Sequence, residues 1–114
     1  MEGITYYLAP DTLNELFNIF GEVQTADSTL AIEYWDVSIE ELPAYRKLQD
    51  YFETNFNSSR NYYLLTESEL RATPGYRMDL CTSTTAQERR YSHTYCLQDF
   101  EGILPAYFAV LKRI

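Results

Sequence analysis

Cysteine, histidine, glycine and positive charge are all scarce in this chain. Its two cysteines, Cys81 and Cys96, are too few for a disulfide scaffold or a structural zinc site. The single histidine, His93, stands three positions before Cys96. On a strand that odd spacing sends the two side chains to opposite faces, which disfavours a nucleophile–base dyad. Only four glycines are present, and no G-x-x-x-x-G-K-[ST], G-x-S-x-G, H-E-x-x-H or calcium-loop order occurs. Asp36 with Glu40, and Glu40 with Glu41, imitate paired acid/base carboxylates, but nothing around them demands a cleft. The expectation is therefore a protein that is not an enzyme and needs neither cofactor nor metal.

Long apolar runs are missing too. Ala106–Leu111 is the longest, far below the roughly 20 residues of a membrane span. Met1-Glu2-Gly3 opens without a basic or apolar leader pattern, so a cytoplasmic product with no membrane contact is expected. Nine Lys and Arg face 17 Asp and Glu, for a formal net charge of −8. A phosphate-backbone binder needs the reverse, so direct nucleic-acid binding is not expected. The only basic cluster, Arg77, Arg89 and Arg90, is too small to change that.

What is abundant is acid and tyrosine. Residues 1–58 carry eleven acids against Arg46 and Lys47, a balance of −9, whereas residues 59–114 come to +1. Aromatic residues make up 16% of the chain, and eleven of them are Tyr. At 114 residues and 46% hydrophobic content, one domain with one core is the natural size.

The pattern reads as α+β, with a mostly antiparallel sheet of five or six strands packed on two main helices. Ile4–Leu8 and Leu30–Val37 read as strands, the second central because both of its faces are apolar. Leu13, Leu16, Phe17 and Phe20 mark a helix closed by Gly21. Ser38-x-x-Glu41 resembles a capping box, and Pro43 starts a second helix with Tyr45, Leu48, Phe52 and Phe56 as its buried stripe. Tyr62–Leu65 reads as a strand, and Thr66 with Glu69 caps a short helical turn at 67–71. Tyr76–Thr84 and Tyr91–Gln98 read as a hairpin that sets Cys81 opposite Cys96, with Met78, Leu80, Tyr95 and Leu97 on the core face. Ala106–Leu111 closes the list of strands. Tyr6-Tyr7-Leu8 and Tyr62-Tyr63-Leu64 echo one another, as an old duplication or a common local solution would.

In composition, though not by any motif, the chain suits inhibitor and immunity-type proteins that cover an enzyme's basic site. The expected function is a small acidic protein-binding module, a nucleic-acid mimic whose partner is a basic protein such as a nuclease, a toxin or another nucleic-acid-handling complex. Glu33, Asp36, Glu40, Glu41, Asp50 and Glu53 are the expected contact acids, with Trp35 as an aromatic anchor. The alternative is an assembly subunit that self-associates through a sheet edge or a Tyr-rich patch. A small enzyme or ligand sensor built around His93 ranks third.

Overall fold

Proline opens both long helices, where its fixed φ suits the first turn and its missing N–H leaves no bond unmade. The computed structural model describes residues 1–56, 62–91 and 103–114. Within them run α1 (Pro10–Val23), β1 (Thr29–Tyr34), α2 (Pro43–Phe56), α3 (Glu67–Arg71), β2 (Tyr76–Ser83), α4 (Thr84–Tyr91) and β3 (Tyr107–Arg113). Short 3₁₀ turns occupy Thr5–Tyr7 and Val37–Glu41.

The strands form one antiparallel sheet in the order β1-β3-β2. Leu30 lies opposite Leu111, and Ile32 opposite Ala109. On the other side of β3, Met78 meets Leu111 and Cys81 meets Ala109. These residues face α1, whose Leu13 and Phe17 complete an aliphatic cluster with Leu65 and Leu70. Alternation puts Ala31, Glu33, Val110 and Phe108 on the opposite face.

The edges of the sheet are both modified. Met1 pairs along β1, its amino group donating to the Ala31 carbonyl (2.7 Å) and its own carbonyl accepting from the Glu33 amide (2.8 Å). Along β2 the register shifts between Met78 and Leu80, and Arg77 pairs with Asp79 across 3.0 Å. A bulge and charges of this kind blunt an edge against further pairing. At the sheet's end Arg113 donates from Nη1 to the Gly75 carbonyl (2.7 Å) and from Nε to Gly21 (3.3 Å). Gly75 sits at φ +77°, and a side chain there would collide with that guanidinium.

A second cluster joins Ile39, Tyr45 and Tyr62 with Tyr6, Trp35, Leu48 and Phe52. Trp35 stacks on Tyr6 at 4.1 Å between centroids and 10° between planes. The echoed tyrosine pairs meet here, with Tyr62 edge-on to Tyr6 and the Tyr63 amide donating to the Tyr6 carbonyl at 2.9 Å. Their local structures differ: the first lies in a 3₁₀ turn and the second outside any helix or strand.

The α+β class stands, but the expected sheet of five or six strands on two main helices does not. Three strands and four α-helices are present among the described residues. Ile4–Leu8 is mostly a 3₁₀ turn, and Tyr62–Leu65 makes only one isolated parallel bridge, Leu65 to Asp36. Both runs have strand-like side chains but no full ladder partner, and β propensity alone does not form a strand. Leu30–Val37 shortens to β1 and is an edge strand. The expected hairpin loop 85–90 belongs to α4, and β2 pairs with β3 instead. The bulge turns Leu80 outward, 50% exposed, and brings Cys81 to the core face, opposite to the face expected of it. The second arm of that hairpin, with His93, Tyr95, Cys96 and Leu97, lies outside the described residues except for Tyr91, which ends α4. Phe56, expected in the buried stripe of α2, is 60% exposed.

Candidate functional site

Where β1 ends, the chain bends away from the sheet and displays carboxylates on a constrained turn. The Leu65 amide donates to the Trp35 carbonyl (2.9 Å), and the Val37 amide to the Leu65 carbonyl (3.1 Å). Asp36 then caps the 3₁₀ turn, its Oδ2 accepting from the Ser38 amide at 3.0 Å. This replaces the expected Ser38–Glu41 capping box with an aspartate two positions earlier. Ile39, at 0% exposure, plugs the turn into the aromatic cluster. With one residue of the turn buried and about three residues per revolution, Glu40 and Glu41 are left in solvent. Ser38 and Tyr107 hydroxyls share a 3.2 Å hydrogen bond that ties the turn to β3.

The Asp36–Leu65 bridge brings in an acid that the sequence reading missed, Glu67. Asp36 and Glu67 both line a pocket of about 240 Å³ that also includes Tyr34, Cys81 and Tyr107. The Tyr34 hydroxyl and the Cys81 thiol share a hydrogen bond of 3.2 Å. Burial pushes the Tyr34 phenol well above its usual range, and the Cys81 bond and the negative charges of Asp36 and Glu67 push it further. Glu67 itself holds Arg71 one turn along α3, with Nε donating to Oε1 at 2.9 Å. The one sequence sign of Glu67's position was Thr66, whose capping box with Glu69 fixes the start of α3.

The other expected contact residues are dispersed. Glu33 lies on the open face of the sheet, where Oε2 accepts from the Gly3 amide at 3.0 Å. Trp35 is half-buried in the aromatic cluster, stacked on Tyr6 and edge-on to Tyr45 and Tyr62. Asp50 and Glu53 stand exposed on α2. Helical spacing places Arg46 and Lys47 one turn before Asp50, so that surface is locally neutral. Asp36, Glu40 and Glu41 are thus the expected acids that one element holds together.

Charge is used differently in the two halves. Among the eleven acids of residues 1–58, Asp27 makes an ion pair, with Lys112 at 3.1 Å. No other acid of that half does so among the described residues. In the second half Arg71 and Arg77 are ion-paired to acids, and Arg113 serves backbone carbonyls and lies over the Tyr76 ring. Chemically, the turn offers fixed, hydrated carboxylates that suit ammonium or guanidinium groups. Among the described residues no three His, Cys, Asp or Glu side chains are grouped to hold a metal ion. None of their helices is long and apolar enough to cross a membrane. No protein-family model matches the chain, and no curated protein matches it in sequence.

Proposed function

We propose that the protein is a binding module whose acidic turn, Asp36–Glu41 with the adjoining Glu67, engages a basic protein partner. The reading extends to an inhibitor or immunity-type role, in which such a surface covers the cationic site of a nuclease, toxin or other nucleic-acid-handling protein and excludes its polyanion. The observation that supports it is the turn itself. A fully buried Ile39 and the Asp36 cap hold Glu40 and Glu41 outward, with no ion pair of their own among the described residues. Pre-set charges need little ordering on binding and speed encounter with an oppositely charged surface.

Self-association through a sheet edge finds less support, since Met1 lines β1 and β2 carries a bulge with an ion pair. The test is affinity for a partner recovered with the full chain as bait. Binding weakens by about tenfold or more from low to high salt, and by a similar factor on Glu40→Lys with Glu41→Lys. Affinity indifferent to both changes overturns the reading.

A further inference from the structure

A second surface, sharing no lining residue with the acidic pocket, runs between α1 and α3. It is a half-open groove of about 500 Å³. Leu13 and Phe17 from α1 and Leu64 and Leu70 from the facing segment form its apolar walls. Asn14 and Asn18, one helical turn apart and exposed, make one rim, and Glu69 lies on the other. Thr73 also lines it and is only 7% exposed. An apolar groove with a few convergent polar groups has the make-up of a binding site.

Its charge identifies the occupant. Asp11, Glu15 and Glu22 run along the flank of α1 next to the Asn rim, and α1 contains no base. With Glu69 opposite, both sides of an apolar floor are negative. An anionic amphiphile would meet repulsion on either rim. The complement is an apolar stripe flanked by Lys or Arg, and the i, i+4 ridge of α1 matches the ridges of another helix. We infer that this groove seats the apolar face of a basic amphipathic helix from a partner protein. The inference shares with the proposed function the basic character of the partner but rests on different residues.

A fluorescein-labelled synthetic peptide of Leu and Lys in helical period, titrated with the full chain at low salt, tests it. Saturable one-to-one binding is expected, and the matching Leu/Glu peptide should not bind. Asn18→Trp fills the groove without changing charge and should weaken binding by about tenfold or more. Asn14→Arg, at another exposed position, should weaken it in the same way, with circular dichroism verifying both folds. Repeated at about 0.15 M salt, Glu40→Lys with Glu41→Lys should weaken peptide binding clearly less than Asn18→Trp does. Wild-type affinity in both groove variants, or equal binding of the Leu/Glu peptide, overturns the inference. If the peptide responds to the Glu40/Glu41 change and not to Asn18→Trp, the groove assignment falls while the acidic turn stands.

Discussion

Beneath the sheet, Leu30, Ile32, Ala109 and Leu111 come together because one ladder aligns them on one face of β1 and β3. Beneath the acidic turn, Tyr6, Trp35, Tyr62 and the α2 residues Tyr45 and Phe52 come from four segments and are joined by ring contacts. Tyr62 is the hub, edge-on to Tyr6, Trp35, Tyr45 and Phe52. Each such pair adds roughly 0.5–1.5 kcal/mol beyond its burial, and none fixes a backbone ladder. The difference teaches that order in one region is set by continuous main-chain ladders, and in the other by side-chain shape with a few isolated main-chain bonds. The carboxylates proposed to meet a partner stand on the second.

The largest effect should come from cavities placed in the two regions. Leu111 sits on the central strand and Ile39 under the turn, both at 0% exposure. Leu111→Ala should cost about 2–5 kcal/mol and loosen both clusters together. Ile39→Ala removes a side chain of the same size, yet its consequence should stay local. Amides of Thr29–Tyr34 should remain protected from hydrogen exchange while those of Pro43–Phe56 lose protection. Equal loss of protection throughout the chain in both variants would show the clusters to be one cooperative unit.

Alkaline titration probes the same contrast with a smaller effect. Burial raises the phenols of Tyr34 and Tyr76 beside the sheet, and of Tyr6 and Tyr45 in the aromatic cluster. Glu33 adds to the rise at Tyr6 and Glu40 to that at Tyr45, whereas Arg113 opposes it at Tyr76. A raised phenol keeps its proton in the fold after the unfolded chain has lost it. Stability is therefore complete below the ordinary tyrosine value of 10.0 and falls as pH climbs above it. Each retained proton contributes a slope of about 1.4 kcal/mol per pH unit. Urea midpoints followed from neutral to strongly alkaline pH should show the fall, and Tyr34→Phe should flatten it more than Tyr45→Phe does. A pH-independent midpoint would contradict the raised phenols.

How much of this was legible follows from the same contrast. Three of the four α-helices among the described residues show local signals: Pro10 and Pro43 at their starts, Thr66 and Glu69 in the capping box, Leu13 with Phe17 on one face; α4 reads as a loop instead. Strand pairing depended on partners far along the chain. Tyr76–Thr84 reads as half of a hairpin, and nothing nearby in sequence points to Tyr107–Arg113 as the partner of β2. The bulge at Asp79 inverted the expected face of Leu80, because one extra residue exchanges the two sides of a strand. At the site, Asp36, Glu40 and Glu41 were readable as one acidic run. Glu67 was not, since a single bridge through Leu65 brings it there. Residue type alone singles out Trp35 in the sequence, and its half-buried place comes from the stacked Tyr6 ring with Tyr45 and Tyr62 edge-on.

The smallest expected change in stability separates the structural duty of a cap from its charge. Thr66 accepts from the Glu69 amide at 3.1 Å on the sheet side, and Asp36 accepts from the Ser38 amide at 3.0 Å on the turn side. Thr66→Ala removes an acceptor from a helix start and should cost about 1 kcal/mol. Asp36→Asn keeps an oxygen in place for the Ser38 amide while discharging it, and lessens repulsion with Glu67 across the shared pocket. Its effect on the thermal midpoint should correspond to less than about 0.5 kcal/mol. If the turn acts through its charge, the same variant should still lower affinity for a basic partner and reduce the salt dependence of association. Unchanged stability with unchanged binding would leave Asp36 as a cap alone and confine the electrostatic role to Glu40 and Glu41.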